Sequence, residues 1–438
     1  MLRKLLVSAI LLTPVTIGQP LAENQPNSAD HSPSRVTVSE DVSHGFPAGR
    51  LKRLDGAMAD AVSKGLIPGA VILIARDGEV VHAKAFGTLG GAGTPAMPEN
   101  AIFRLASMTK PIVTTAAMML VERGMLSIDE PVTKHIPEFA SLTVEVRGTD
   151  ASGAPTLGTA PPARPMLIQD LMRHTSGLTY SFTGPATDPI RKAYVDQGIE
   201  QMTADLPADE MISRLAAIPL AHQPGTTFEY GVSTDVLGII LERVTGKRLD
   251  AILEEMIFRP LGMKDSGFVV KPGDHARLAS IPAGDPLGGW LTGWLRVESE
   301  HPGGYLSGGG GMVSTARDYF RFAQMILDGG EFDGTRLLSR KSVELMLSDH
   351  LAGLAGGPTG YSGPGYGFGL GFAVRTRKGE ASYLPGSTGD AMWFGVTGTT
   401  FVIDPEERLV AILLTQSPST RARTRPLFRN LVYGAMGD

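Results

Sequence analysis

One stretch of this chain brings together a nucleophile and a base at the spacing that acyl chemistry needs. It reads Arg104-Leu-Ala-Ser107-Met-Thr-Lys110-Pro111 and holds the only Ser-x-x-Lys in the 438 residues. On a helix, positions i and i+3 share a face about one turn apart. A serine hydroxyl attacks a carbonyl only when an adjacent base takes its proton. A partly desolvated lysine can be that base, because burial disfavours its charged form. Pro111 is tolerated only near a helix start, so Ser107 is placed at a helix N-terminus, near free N–H groups and the positive dipole end. A chain of this size is expected to contain about one such tetrapeptide by chance, so the pair needs support from elsewhere.

Two further stretches can supply it. Phe228-Glu-Tyr230-Gly-Val-Ser-Thr-Asp235 ends a loop and opens a helical pattern. A tyrosine beside a lysine can carry a proton to a leaving group, although an isolated buried tyrosine more often only packs. Trp393-Phe-Gly395-Val396-Thr-Gly398 precedes a strand-like run, and small residues there let a substrate approach the backbone. A backbone N–H at this point can join that of Ser107 in an oxyanion hole.

The elements that must position these groups follow from patterning. Residues 48–64 carry apolar side chains at helical steps and stop at Gly65. Runs 70–75 and 79–86 flank Asp77-Gly78, a hairpin signal. Residues 368–375, 399–403 and 409–416 read as strands, and 421–436 as a final helix. Helical patterns fall near 111–124, 167–173, 208–217, 233–246, 249–258 and 315–327, separated by Gly/Pro-rich loops at 152–164 and 272–289. The expected fold is α/β (α+β): an antiparallel sheet built from both termini and flanked by helices, with a mostly helical region inserted at roughly 115–300.

Composition narrows the class. The chain is 42% hydrophobic and 19% charged, with net charge −5 and a pI of about 6.0. No basic stripe marks a nucleic-acid partner. With no cysteines, thiolate catalysis, disulfides and Cys-ligated metals are excluded. The nine histidines are scattered, without His-Glu-x-x-His, and neither a Gly-x-Ser-x-Gly elbow nor a Walker loop is present. No metal or cofactor is therefore expected. Gly308–Gly311 lacks the Lys-Ser/Thr of a phosphate loop and reads as an allowance for tight packing near the site. Arg3 and Lys4 precede a short apolar run, so residues 1–22 read as a signal peptide with export to the periplasm or medium. Residues 23–47 read as a flexible linker, and 48–438 as the catalytic domain. No later apolar run is long enough for a membrane span.

The three motifs together resemble the serine β-lactamase and penicillin-binding-protein superfamily, for which Ser-x-x-Lys is a known signature. The likeness is greatest to the class C β-lactamase-related branch and, within it, the family VIII carboxylesterases. It extends to Leu171-Met-Arg-His-Thr-Ser-Gly-Leu178, Gly308-Gly-Gly-Gly-Met-Val-Ser-Thr315 and Gly365-Tyr-Gly-Phe-Gly-Leu-Gly-Phe372. The resemblance implies a β-lactamase/transpeptidase-like fold, Ser107 as acylated nucleophile, Lys110 as its base and Tyr230 as proton shuttle. It also implies that the N–H groups of Ser107 and Val396 form the oxyanion hole, with Trp393 and Gly395 against the substrate. His174 belongs to a structural turn. Two departures matter. Val232 stands where β-lactamases of this class have Asn, and Trp393 where they have the Lys of Lys-Thr-Gly. Both remove polar groups that hold a β-lactam and leave an apolar, aromatic site, which suits an uncharged ester; the expected substrate is a small-molecule ester or amide, with short-chain carboxylic esters the leading reading. A β-lactamase or D-Ala carboxypeptidase-like enzyme, an acyltransferase and a non-catalytic ligand-binding relative remain as alternatives.

Overall fold

The two runs around Asp77-Gly78 pair as strands β1 (Gly69–Arg76) and β2 (Glu79–Gly87). Asp77 and Gly78 both have positive φ, 56° and 83°, the backbone of a tight hairpin turn that matches strand twist. This is the N-terminal part of a sheet in the computed structural model, which describes residues 42–153, 155–199, 206–297, 304–354, 357–377 and 382–437. The C-terminal part adds β3 (Tyr366–Phe368), β4 (Ala373–Arg375), β5 (Ala391–Phe394), β6 (Thr400–Asp404) and β7 (Leu409–Thr415). The order across the seven strands is β3-β4-β5-β6-β7-β1-β2, antiparallel throughout. Ala70 pairs with Thr415 and Arg76 with Leu409, so early and late chain meet inside the sheet. Every residue of β7, and all of β1 but Arg76, is buried, as their unbroken apolar runs require. On the edge, β2 has exposed Glu79, Val80 and Lys84.

Helices cover both faces. Phe401 packs on Tyr319 of a helix at Ala316–Leu327, ring centroids 5.1 Å apart. Its neighbour Val402 belongs to the opposite face, because successive strand residues alternate, and the C-terminal helix at Arg421–Ala435 packs on β7. The helix at Ala48–Ser63, predicted at 48–64, packs beside that C-terminal helix. Between the two parts of the sheet lies the helical region. Its centre is α2 (Thr109–Glu122), buried on every side from Thr109 to Leu120. A helix apolar all round belongs in the interior, and here it packs on Ser233–Thr245. Among the described residues no helix is long and apolar enough to cross a membrane.

Four expectations change. Residues 152–164 are not all loop: Pro155–Ala160 pairs with Val144–Thr149 in a two-stranded hairpin. The Gly and Pro there hide a Thr- and Val-bearing strand pair. The single strand expected at 368–375 is two strands, β3 and β4, because Gly371 has φ 86° and turns the chain between them. The linker ends earlier than Pro47. Val42–Ser43 pairs with Phe46–Pro47, and Phe46 is fully buried, so this segment already belongs to the packed body. The residues read as a signal peptide, and the rest of those read as a linker, lie outside the described residues. Trp393 precedes the expected strand, which is β6, but itself stands within a further strand, β5, which decides where its side chain points.

Candidate active site

Ser107 sits in a short 3-10 turn, Ala106–Met108, that runs directly into α2. The loop before it is held against the end of β5. Thr397 Oγ1 and Gln416 Nε2 donate to the Arg104 carbonyl at 3.0 and 3.2 Å, and Thr399 Oγ1 donates to that of Leu105 at 3.1 Å. Gly395 makes this approach possible: a Cβ there would lie 2.1 Å from the Leu105 oxygen. On the other side the Leu105 N–H donates to the Met312 carbonyl at 2.9 Å. Ala106 has φ 48°, a left-handed conformation unfavourable for a residue with a Cβ. Such strain persists only where surrounding contacts over-determine the backbone, and it collects at functional sites. The expected helix start at Ser107 and Lys110 is present.

Lys110, 1% exposed, points from the first turn of α2 to three oxygens. Its Nζ lies 3.2 Å from Ser107 Oγ, 3.2 Å from the Tyr180 hydroxyl and 2.6 Å from the Gly309 carbonyl. Gly309 is itself fixed by Asp235, whose Oδ1 accepts from the Gly309 N–H at 3.1 Å and from Ser307 Oγ at 2.5 Å. A Cβ on Gly309 would lie 2.2 Å from Asp235 Oδ2, and one on Gly308 would lie 2.5 Å from the Thr234 carbonyl. The glycine run thus permits the close packing read from the sequence. Asp235 is buried, which raises its carboxyl pKa, while the Lys110 charge pulls it back.

Tyr230 lies with its ring under the Lys110 ammonium, 4.7 Å from Nζ to centroid. Its hydroxyl accepts a hydrogen bond from Trp393 Nε1 at 3.3 Å. Among the described residues it makes no hydrogen bond to Ser107 or Lys110; the hydroxyl that reaches Lys110 is that of Tyr180. His174 packs on Tyr230, ring centroids 4.8 Å apart, from the Thr-Ser-Gly turn. Complete burial, and then the Lys110 charge, keep the His174 pKa well below the ordinary histidine value. The turn is anchored by Asp170, which accepts from Arg164 at 2.7 and 2.9 Å, Arg173 at 3.0 Å, Thr175 Oγ1 at 2.9 Å and the Leu167 N–H at 2.9 Å.

Ser107, Tyr230 and Val396 line one cavity of about 650 Å³. The other two expected substrate contacts do not. Trp393 is fully buried and supports Tyr230 from behind, because strand alternation sends Met392, Phe394 and Val396 to the cavity instead. Gly395 contributes backbone: its N–H donates to Thr399 and its absent side chain admits the nucleophile loop. Tyr180, Phe182, Trp294 and Tyr361 make much of the wall aromatic.

Sequence reasoning missed Tyr180, the Asp235–Gly309 support and one more feature. The C-terminal helix brings Arg421, Arg425 and Arg429 to the same cavity. Their spacing of four in Arg421-Ala-Arg-Thr-Arg425-Pro-Leu-Phe-Arg429 was the available signal, since it puts all three on one helix face. Arg429 donates to Asp390 at 2.6 Å, a carboxylate also bound by Arg375 at 2.7 Å. Arg425 lies over Phe394, 4.2 Å from the ring centroid, and donates to the Gly395 carbonyl. Its Nε is shielded from solvent without an acceptor. The site is therefore not uncharged, as the loss of lysine at position 393 implied. Among the described residues no cluster of three or more His, Asp or Glu is placed to hold a metal ion.

This arrangement has relatives. The chain is 34% identical over 382 residues to esterase EstB of Burkholderia gladioli, covering 83% of this chain and 90% of that protein. It is 33% identical over 306 residues to the lovastatin esterase of Penicillium rubens, covering 68% and 73%. Among solved structures, EstCE1, a hydrolase with promiscuous acyltransferase activity, superposes with a TM-score of 0.72 at 28% identity, covering 88% of this chain and 98% of that one. These neighbours place the sheet-and-helix architecture among β-lactamase/transpeptidase folds. The Beta-lactamase family model matches residues 54–433, and the chain belongs to that family.

Proposed function

We propose that this protein is a serine hydrolase that cleaves carboxylic esters through an acyl-enzyme on Ser107. One observation carries the reading: Lys110 Nζ, buried, stands 3.2 Å from Ser107 Oγ at the wall of a largely aromatic cavity. Lys110 in its neutral form takes the Ser107 proton as the oxygen attacks the ester carbonyl. The Gly309 carbonyl and the Tyr180 hydroxyl hold the amine in place, so its lone pair is directed at Ser107. The N–H groups of Ser107 and Val396 stabilise the oxyanion, and such donors act without reorganising during the reaction. Tyr230 passes a proton to the leaving alkoxide. Water then enters, is deprotonated by the same Lys110–Tyr230 pair, and releases the acid. Relatives named as esterases support hydrolysis of an ester. Val232 and Trp393 lack the polar groups that β-lactams use, which favours an ester over a lactam.

Fluorophosphonate labelling with mass spectrometry tests the nucleophile, and modification of the folded protein is expected at Ser107. p-Nitrophenyl butyrate and nitrocefin at matched concentration test the class. Faster nitrocefin turnover would overturn the ester assignment. Relatives named as acyltransferases motivate a second reading, in which an alcohol replaces water. The half-exposed Phe182 and Trp290 beside Trp294 offer such an acceptor an apolar seat at the cavity mouth. Ester exchange in the presence of added alcohol, measured against hydrolysis, decides between them. The basic and apolar N-terminus adds a proposal of export, tested by N-terminal sequencing of the mature protein.

A further inference from the structure

The loops that carry Tyr180 and Tyr230 meet behind the site, and one carboxylate ties them together. Glu229 directly precedes Tyr230, and its backbone N–H donates to the His174 carbonyl at 2.8 Å. Its side chain stands outside the cavity wall. Oε1 accepts from Thr179 Oγ1 and from Arg191 at 2.9 Å, and Oε2 lies 3.4 Å from His222 Nε2. Thr183 Oγ1 donates to the Tyr180 carbonyl at 2.8 Å and stands 3.3 Å from Glu229. Thr179 and Thr183 bracket Tyr180 and Phe182, so the carboxylate grips both ends of that turn. Backbone contacts run alongside. The Val232 N–H donates to the Thr179 carbonyl at 3.3 Å, and a Cβ on Gly231 would lie 2.4 Å from the Leu178 oxygen. Arg191 adds a third element, the helix at Pro189–Asp196, whose cap Asp188 accepts from the Ile190 and Arg191 N–H groups at 3.1 and 3.2 Å.

What this knot holds is close to the chemistry. Tyr180 reaches Lys110 Nζ at 3.2 Å, its ring lies 5.5 Å from that of Tyr230, and Phe182 stacks on it at 4.8 Å. A shift of the turn by about half an ångström would carry the 3.2 Å contact out of hydrogen-bonding range. The tie itself is firm. Glu229 and Arg191 are 13% and 12% exposed, and breaking a pair so withdrawn from water costs more than breaking one at the surface. Burial alone would raise the Glu229 carboxyl pKa, but His222, Thr179 and Arg191 hold it below the ordinary value. We propose that Glu229 is a positioning residue, which fixes the Tyr180 turn against the Tyr230 loop and, through Tyr180, sets the direction of the Lys110 amine. This rests on Lys110 acting as the base on Ser107.

A double-mutant cycle on the full chain tests this with p-nitrophenyl butyrate. Glu229→Gln keeps an acceptor but removes the charge that holds Arg191. It is expected to lower kcat by about three- to tenfold with KM within about twofold, because the loss falls on the transition state. Tyr180→Phe is expected to do the same. The double variant should lose no more than the more impaired single variant, because both changes break one chain of contacts. The acidic limb of the kcat/KM profile follows deprotonation of Lys110, and it should move in the same direction in Glu229→Gln as in Tyr180→Phe. A carboxylate that only stabilises the fold would leave that limb in place and give additive losses. Glu138→Gln, which breaks an ion pair with Arg243 at 3.2 Å, should leave kcat unchanged. Additive losses or an unmoved limb overturn the proposal. If Glu229→Gln does not fold, Thr179→Val takes its place in the cycle with the same outcomes. If no ester turns over and Ser107 resists labelling, the hydrolase reading fails separately. Hydrogen exchange then decides the coupling: faster exchange at 178–184 and 229–232 together in Glu229→Gln keeps it, and unchanged exchange at 178–184 overturns it.

Discussion

Lys110 and Arg425 are two basic side chains at one cavity, Lys110 behind Ser107 and Arg425 in the wall, and the chain treats them differently. Lys110 meets three oxygens, and behind one of them stands a buried carboxylate, Asp235. Each of those acceptors comes from the protein itself, so the lysine is held whether or not a substrate is bound. Arg425 meets one carbonyl and an aromatic face. Its neighbour Arg429, four residues on, shows what a complete set of partners looks like on the same helix: an acid at 2.6 Å and the Pro385 carbonyl at 2.7 Å. A side chain whose partners are all internal positions something else.

The sharpest way to break this contrast is at Lys110. Lys110→Ala should lower kcat/KM for p-nitrophenyl butyrate by about 10³-fold or more while circular dichroism stays native. A loss under about tenfold would remove Lys110 as the base. Next comes Arg429. Arg429→Gln leaves Asp390 with one arginine and should cost about 3 kcal/mol in urea unfolding, the range for breaking a buried pair. The two tyrosines follow. Tyr230→Phe is expected to reduce kcat by about 10²-fold and Tyr180→Phe by less than about tenfold. The reverse order would assign the proton transfer to the hydroxyl that touches Lys110.

Asp170 gives a pH-dependent test of an internally completed group. Burial alone would raise its carboxyl pKa, but the hydrogen bonds and charge of Arg164, with the Leu167 N–H and Thr175, hold it below the ordinary value. Its contribution is therefore present above the unfolded-state value of about 4 and is lost as pH falls through the lower folded value. Asp170→Asn should destabilise the protein by about 2 kcal/mol at pH 7, and the gap to wild type should narrow in urea melts below pH 4. The smallest effect is expected at Arg425. Arg425→Gln should change unfolding free energy by less than about 1 kcal/mol without ligand, because the lost charge was poorly compensated. A loss as large as that at Arg429 would show that the protein alone completes it.

Much of this was legible in the sequence because the signals were local. Asp77-Gly78 encodes its own turn, the runs at 70–75 and 409–416 are too apolar for any place but a sheet interior, and Pro111 fixes the start of α2. The serine, the lysine and the Tyr230 loop fall where their motifs put them. What failed needed one more fact. The assignment of Trp393 to the substrate fails because β5 carries no strand signal of its own beside the run at 399–403, which is β6, and alternation within β5 turns Trp393 away from the cavity. Tyr180 carries no local mark, and the four-residue spacing of Arg421, Arg425 and Arg429 marks one helix face without saying what that face meets. Each meets the site only through tertiary packing, Tyr180 across 70 residues of chain. The hairpin at 144–160 was hidden by its glycines and prolines, whose turn signals outweighed the short Val and Thr alternation.

The pairing of Ala70 with Thr415 has a consequence for how the site comes into being. Ser107 and Lys110 are made early, but Thr399, which clamps the loop before them, lies 294 residues beyond Leu105, and the helix that lines the cavity follows it. A nascent chain that already contains Ser107 and Lys110 lacks Val396 and the far wall of the cavity. The site is therefore complete only once these distant segments have met, a long-range closure that is slow by its topology.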